Sequence, residues 1–458
     1  MAIATTNPAT GQVERTFTPH DETDVDRRFG QAHDAFLAMK KTSFAQRAEW
    51  MNLTADALET DVDCAARLLT LEMGKPLIQA RAEVLKSAKA MRFYAEHAEE
   101  FLTGRSLPDP SAVNATAAYT RYEAMGVVLT VMPWNYPIWQ VVRFAALALM
   151  AGNAGLLKHA SNVPQAAIYL DTLFHEGGFP AGSFQSLLIP AAGVERVARD
   201  KRVAAMTLTG SEPAGRSLAA IAGSEVKPVV LELGGSDPFI VAPSADLDGA
   251  VSTAVAARTS NNGQACINAK RFIVHQDVYD TFIERFTTAT ADLVVGDPFD
   301  DGTDVGPLAT ESNHRDLEEL VTDAREKGAP VVTGGVIPDG DGWFYPPTVV
   351  AGITPEMRLY AEEAFGPLAA LYRVADRDEA LALANATTFG LSSAVWTQDL
   401  DDEEFFVNGL AAGAVVVNGM SISYPELPFG GLENSVVGHE LSLEGIRAFC
   451  NLKSVWRG

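Results

Sequence analysis

A chain of 458 residues with 47% hydrophobic content is long enough for roughly two or three domains with sizeable cores. Its 59 aspartates and glutamates against 35 lysines and arginines give a formal charge of −24, which argues against nucleic acid or anionic membranes as partners. Three scattered cysteines (Cys64, Cys266 and Cys450) exclude a disulfide framework, and none has zinc-ligand spacing to the eight histidines, so no metal is expected.

The opening Met1-Ala2-Ile3-Ala4-Thr5-Thr6 lacks the basic region and apolar run of a secretory leader. The most apolar window, Phe144 to Leu157, is interrupted by Gly152 and Asn153 and is short for a membrane span. A cytoplasmic, reducing location is therefore expected. Residues 21–105 read as helical, with apolar spacing over Asp24 to Met39, Ser43 to Cys64 and Ile78 to Phe101. Cys64 falls on an alanine- and leucine-rich helix and reads as structural. Leu107-Pro108-Asp109-Pro110 is a turn, and Ala115 to Arg121 is a strand that could pack outside its own domain.

From Gly126 strands and helices alternate, an α/β layout of the nucleotide-binding type. Ligands in such sheets gather at the carboxyl ends of strands, where Asn135, Lys158 and Thr209 all fall. Lys158 could meet a phosphate or ribose, or its stem could cover the core edge. Thr209-Gly210-Ser211 leads into a helix through Gly215, and free amides at a helix start favour phosphate oxygens. The three-glycine dinucleotide fingerprint is absent, and an ordinary cap at Ser211 explains the same pattern. Glu232 lies inside the apolar run Val229 to Leu233. It is either a general base of raised pKa or a carboxylate satisfied by backbone donors.

Residues 237–420 form a second α/β unit. Within it, Asn261-Asn262-Gly263-Gln264-Ala265-Cys266 sets a thiol between a polar turn and a strand. Cys266 is a covalent nucleophile or a small buried hydrophobe. Glu363 and Phe365 share a later turn. The loop from Gly419 to Gly431 is long enough for an active-site wall, and Lys453 to Trp456 is an edge strand seeking a partner.

Together, Pro133-Trp134-Asn135, Gly152-Asn153 leading to Lys158, Thr209-Gly210-Ser211, Glu232-Leu233-Gly234-Gly235, Gly263 to Cys266, Glu363 to Pro367 and Pro428-Phe429-Gly430-Gly431 form one ordered set. In this set the chain resembles the aldehyde dehydrogenase superfamily over essentially its full length. It is most similar to the short bacterial and archaeal succinate-semialdehyde dehydrogenases. The resemblance implies an α/β fold with a Rossmann-like NAD(P)-binding domain over 1–105 and 122–231 and a catalytic domain over 232–424. Oligomerisation strands and a C-terminal segment would take 106–121 and 425–458. A homodimer or homotetramer is expected.

The resemblance also implies roles. Cys266 attacks the aldehyde, Asn135 and the Cys266 amide stabilise the oxyanion, and Glu232 activates water. Lys158 contacts the adenosine ribose, and Ser211 with its helix meets the pyrophosphate. Glu363 holds the nicotinamide ribose with Phe365 beside it, and Trp134 lies on the adenosine side. Ser161 stands where many NAD-preferring relatives carry a glutamate. Its lack of charge removes a repulsion toward a 2′-phosphate, so NADP is favoured with NAD possible. Arg143 and Ser423 match residues that hold a distal carboxylate, so the substrate is a small aldehyde with such a group, succinate semialdehyde foremost. A second arginine found in some relatives is Ser260 here, with Arg258 two residues earlier. Glu433 to Glu440 departs from the usual basic residue and Ser-Gly-x-Gly-Arg-Glu. A broader aliphatic or glutarate-semialdehyde dehydrogenase, and a catalytically silent structural relative, remain alternatives.

Overall fold

The computed structural model describes residues 2–458; Met1, part of the stretch read for a leader, lies outside them. Two sheets organise the chain. A six-stranded sheet runs in the order Val436–Val437, Val229–Glu232, Val203–Thr209, Val127–Met132, Ala154–His159, Phe184–Ser186. All neighbours are parallel except the first pair. Strand Ala154–His159 is buried at every position, as a parallel strand covered by helices on both faces must be. Helix Trp139–Ala151 is buried along its whole length between this sheet and helix Leu77–Phe101.

The chain leaves this sheet after Glu232 and enters a second one at Asp237. Its seven strands run Val331–Thr333, Thr348–Ala351, Leu368–Val374, Ala269–His275, Asp237–Val241, Ser392–Trp396, Ala414–Val417. Only the Val331–Thr333 edge pairs antiparallel. Apolar clusters fill both of its faces. Among the described residues no helix is long and apolar enough to cross a membrane.

The remaining strands differ from expectation in instructive ways. Ala117–Ala124 and Cys450–Arg457, each expected to seek a partner elsewhere, pair antiparallel with one another along their full length. The ribbon they form stays largely open to solvent, with Trp456 58% exposed. The stretch before it, expected to belong with the ribbon, folds back on the body. Leu432–Glu433 pairs with Phe389–Gly390, Val436–Val437 with Leu231 and Glu232, and His439–Glu440 with Phe429–Gly430. The unusual segment is thus stitched to both halves of the molecule, and it delivers Glu440 to the interior.

The helix expected over Ser43 to Cys64 is two helices, Phe44–Thr60 and Val62–Met73, broken at Asp61. Cys64 faces solvent, because Ala65, Ala66, Leu69 and Met73 form the buried stripe. Strand Leu368–Val374 and helix Leu400–Gly409 were not anticipated.

Candidate active site

Cys266 follows helix Leu247–Thr259 and precedes strand Ala269–His275. The intervening turn takes its shape from Asn261, Asn262 and Gly263, whose φ values of 58°, 56° and 71° are all left-handed. Asparagine and glycine visit this region at least cost. A Cβ at Gly263 would lie 2.4 Å from the Gly366 carbonyl carbon, so the close approach needs glycine as well.

Buried side chains then lock the turn. Asn262 Nδ2 donates to the carbonyls of Gly74 (2.9 Å) and Pro307 (3.0 Å), and its Oδ1 accepts from the Gly306 N–H at 2.8 Å. Gln264 Oε1 accepts from the Ala309 N–H at 3.0 Å, and Asn268 Oδ1 from the Ala265 N–H at 2.8 Å. Lys270 Nζ donates to the carbonyls of Ala265 and Cys266 and pairs with Glu363 Oε1 at 3.1 Å. This buried polar network holds the thiol in one place, although Gln264 Nε2 and Asn261 Oδ1 keep no partner among the described residues. Arg258 belongs to the same scaffold, donating to the carbonyls of Ala269 and Gly263.

Two donors border the same cavity. Asn135 Nδ2 donates to the Gln264 carbonyl at 3.0 Å, which uses one of its two hydrogens. The Cys266 N–H has no acceptor among the described residues. Asn135 and Cys266 border a common cavity, so an oxygen bound beside the thiol could receive both donors.

Cys266 sits at the junction of two cavities. The larger, about 310 Å³, is lined by Trp134, Asn135, Thr209, Gly210, Ser211, Glu363 and Phe365. Ser211 precedes helix Glu212–Ser224 in an extended conformation, and its hydroxyl makes no capping bond. The ordinary cap therefore does not account for Ser211. Its hydroxyl and the first amides of the helix stay open to a ligand. Gly215 lets this helix approach the next strand, since a Cβ there would meet Leu233 Cδ2 at 2.4 Å. Trp134, expected on the adenosine side, packs edge-on against Phe365 with ring centroids 5.7 Å apart. Lys158 and Ser161 do not line this cavity. Lys158 is the penultimate residue of strand Ala154–His159, buried and with no charged partner among the described residues, and burial pulls its ammonium below the usual lysine range. Ser161 lies in the turn that follows, its carbonyl accepting the Ala4 N–H at 3.0 Å.

Glu232 ends its strand with both carboxylate oxygens buried and without a hydrogen bond among the described residues. A carboxylate satisfied by backbone donors is thereby excluded. Burial, reinforced by the nearby Glu440 and opposed by Arg143, holds its pKa well above the usual carboxylate range. Burial also pushes the Cys266 thiol up to about 12, against the fields of Lys270 and Arg143. Burial thus favours the uncharged form of both groups, so the thiol must shed a proton before it can react.

The smaller cavity, about 150 Å³, extends from Cys266 past Lys86, Trp139, Arg143, Ser260 and Ser423. Arg143, expected to hold a distal carboxylate, borders this cavity with its guanidinium already engaged. Its Nε pairs with Glu440, its NH2 donates to Thr209 Oγ1 at 3.2 Å, and its head lies 4.8 Å from the Phe429 ring. These two charged side chains are 2% and 0% exposed, so the ion pair is internal rather than a surface bridge. Ser423 does reach the cavity, accepting from Lys86 Nζ and from Trp139 Nε1, both at 3.1 Å.

Three participants escape sequence reasoning: Lys86, Lys270 and Glu440. Lys270 is adjacent to the cysteine motif and could have been flagged as a charge inside a strand. Glu440 closes a segment noted only for its departures. Lys86 sits on a long helix among other charged residues and carries no local signal.

The family model described as "Aldehyde dehydrogenase family" matches residues 1–455. A Mycobacterium avium (strain 104) protein named succinate-semialdehyde dehydrogenase, NADP(+), is 59% identical over 459 residues, spanning 100% of this chain and 97% of its own. A Mycobacterium tuberculosis (strain H37Rv) protein, succinate-semialdehyde dehydrogenase, NADP(+), 1, is 58% identical over 456 residues and the whole of both chains. Among solved structures, succinic semialdehyde dehydrogenase from Streptococcus pyogenes in complex with NADP+ superposes with a TM-score of 0.96. It is 34% identical and 99% of each chain is covered.

Proposed function

The chain belongs to the aldehyde dehydrogenase family, and we propose that it oxidises succinate semialdehyde to succinate with NADP as the preferred acceptor. One observation carries this reading. Cys266 borders two cavities, one with an open helix N-terminus and one with cationic and hydroxyl groups at its end. A nucleophile so placed can meet a dinucleotide from one side and an anionic aldehyde from the other.

The residues suit such a cofactor, since Lys158 is a buried ammonium without a charged partner among the described residues and Ser211 does not cap its own helix. Lys158 and Ser161 would meet the adenosine ribose and its 2′-phosphate. Ser211 and the start of its helix would take the pyrophosphate, with Thr209, Gly210 and Gly215 shaping that end. Glu363 would bond the nicotinamide ribose beside Phe365 and Trp134. When bound, NADP serves to accept the aldehyde hydrogen as hydride.

The chain's own groups carry the remaining chemistry. Cys266 gives its proton to water in the cavity it borders as Sγ bonds to the carbonyl carbon, and the C=O pair moves to the oxygen of a thiohemiacetal oxyanion that receives the Asn135 and Cys266 N–H donors. Loss of hydride leaves a thioester on Sγ. Glu232 then takes a proton from water as the water attacks, the C–S bond breaks, and the acid departs. The raised pKa of Glu232 suits a base that must later release that proton. The exposed ribbon of Ala117–Ala124 and Cys450–Arg457 supports a homodimer or homotetramer. A free thiol nucleophile fits a reducing cytoplasm.

Product analysis tests the proposal. Succinate semialdehyde and NADP should yield succinate and NADPH in equal amounts without coenzyme A. NADPH without succinate, or neither product, would sink it.

A further inference from the structure

Buried charges need partners, and the cations around Cys266 can be sorted by whether they have one. Arg143 is matched by Glu440 and bonded to Thr209. Lys270 is matched by Glu363 and two backbone carbonyls. Lys75, one helical entry away, is matched by Glu83. Lys86 differs. It points into the smaller cavity from helix Leu77–Phe101, with only the Ser423 hydroxyl at 3.1 Å and the Trp139 ring at 4.1 Å beside its ammonium. Among the described residues no carboxylate pairs with it.

Ser423 completes the arrangement. A hydroxyl has two acceptor positions and one hydrogen. Lys86 Nζ and Trp139 Nε1 both donate to its oxygen, so the hydrogen remains to be given away. An ammonium with unspent hydrogens next to a hydroxyl poised to donate is an anion site built from two side chains.

We propose that Lys86, with Ser423, binds the distal carboxylate of the aldehyde and is the residue that selects acidic semialdehydes over neutral aldehydes. This rests on the substrate reading above and names the group responsible for it. The helix is held for the task. Glu83, less than one turn before Lys86, accepts the Ile138 and Trp139 N–H groups through Oε1, both at 2.9 Å, while Oε2 engages Lys75. Lys86 and Trp139 therefore keep a fixed relation. Burial, with Arg143 as the next contributor, draws the Lys86 pKa down to about 8, the state of a cation lacking its counter-charge.

The test is steady-state kinetics of Lys86→Met and Lys86→Arg with saturating NADP, on succinate semialdehyde and butanal. Loss of one charge-assisted contact should raise KM for succinate semialdehyde on the order of 10- to 100-fold in Lys86→Met. KM for butanal should be unchanged, and Lys86→Arg should recover part of the loss. An equal rise in KM for both aldehydes, or no rise for succinate semialdehyde, overturns the assignment of Lys86. Wild-type enzyme that already fails to prefer succinate semialdehyde over butanal would instead overturn the substrate reading, so the two failures are separable.

Discussion

Replacing Glu440 by glutamine should move the pH dependence of catalysis toward acid and weaken the fold at the same time. Glu440 raises the pKa of Glu232, and Arg143 lowers it. Glutamine removes the first influence and leaves the Arg143 charge uncompensated, so both changes act in the same direction. Glu232 would then ionise at lower pH. A neighbouring charge shifts a carboxylate by about 1–3 units, so the acid limb of kcat against pH should move down by at least about one unit. The plateau should fall, because a less basic carboxylate removes a proton from water less well. The cost in stability follows from depth. Arg143 and Glu440 are 2% and 0% exposed, which sets the loss near the buried-pair figure of about 3–5 kcal/mol rather than the surface one. The lower end applies, since Arg143 borders a cavity that water can enter. Initial rates across neutral and alkaline pH, together with denaturant unfolding, measure both effects. An acid limb that stays in place or moves toward alkali, with less than about 1 kcal/mol lost, would refute the coupling.

Cys266→Ala should abolish turnover and leave NADP affinity intact, as read by fluorescence titration; weakened binding in a folded variant would contradict the separation of roles. Ser161→Glu should raise the preference for NAD over NADP about tenfold or more by setting a carboxylate against the 2′-phosphate. An unchanged ratio of kcat/KM values would remove that residue from cofactor choice. KM for succinate semialdehyde should rise as pH passes about 8, where Lys86 loses its proton, while KM for butanal stays level. Lys86 is the group invoked. Its charged neighbours are Arg143, Lys75 and Glu83, and parallel pH profiles for the two aldehydes would show that it does not face the substrate.

Much of the site is legible because its parts stand at strand ends. Val127–Met132, Ala154–His159 and Val203–Thr209 are largely apolar and buried, and the polar residues at or just beyond their ends face the sheet's carboxyl edge. The Asn261 to Gly263 turn is legible for a related reason, since few residues other than asparagine and glycine adopt three left-handed conformations in succession. Strand Leu368–Val374 is hidden because its alanines and its burial at every position but Arg373 give neither alternation nor helical spacing. Charge pairing is hidden more deeply. Arg143 and Glu440 are 297 positions apart, and only packing reveals that one neutralises the other. Lys86 is a lysine on a charged helix until the fold sets Ser423 and Trp139 around it. Ala117–Ala124 and Cys450–Arg457 read as strands, but which partner each would take is a property of the folded chain.

The central claim is that one thiol joins an NADP site to a carboxylate-selective aldehyde site. It is tested most directly by kcat/KM for succinate semialdehyde and butanal, each measured with NADP and with NAD. Succinate semialdehyde with NADP should exceed the other three combinations, the loss with butanal residing in KM. Equal efficiency with butanal, or faster turnover with NAD, would contradict it.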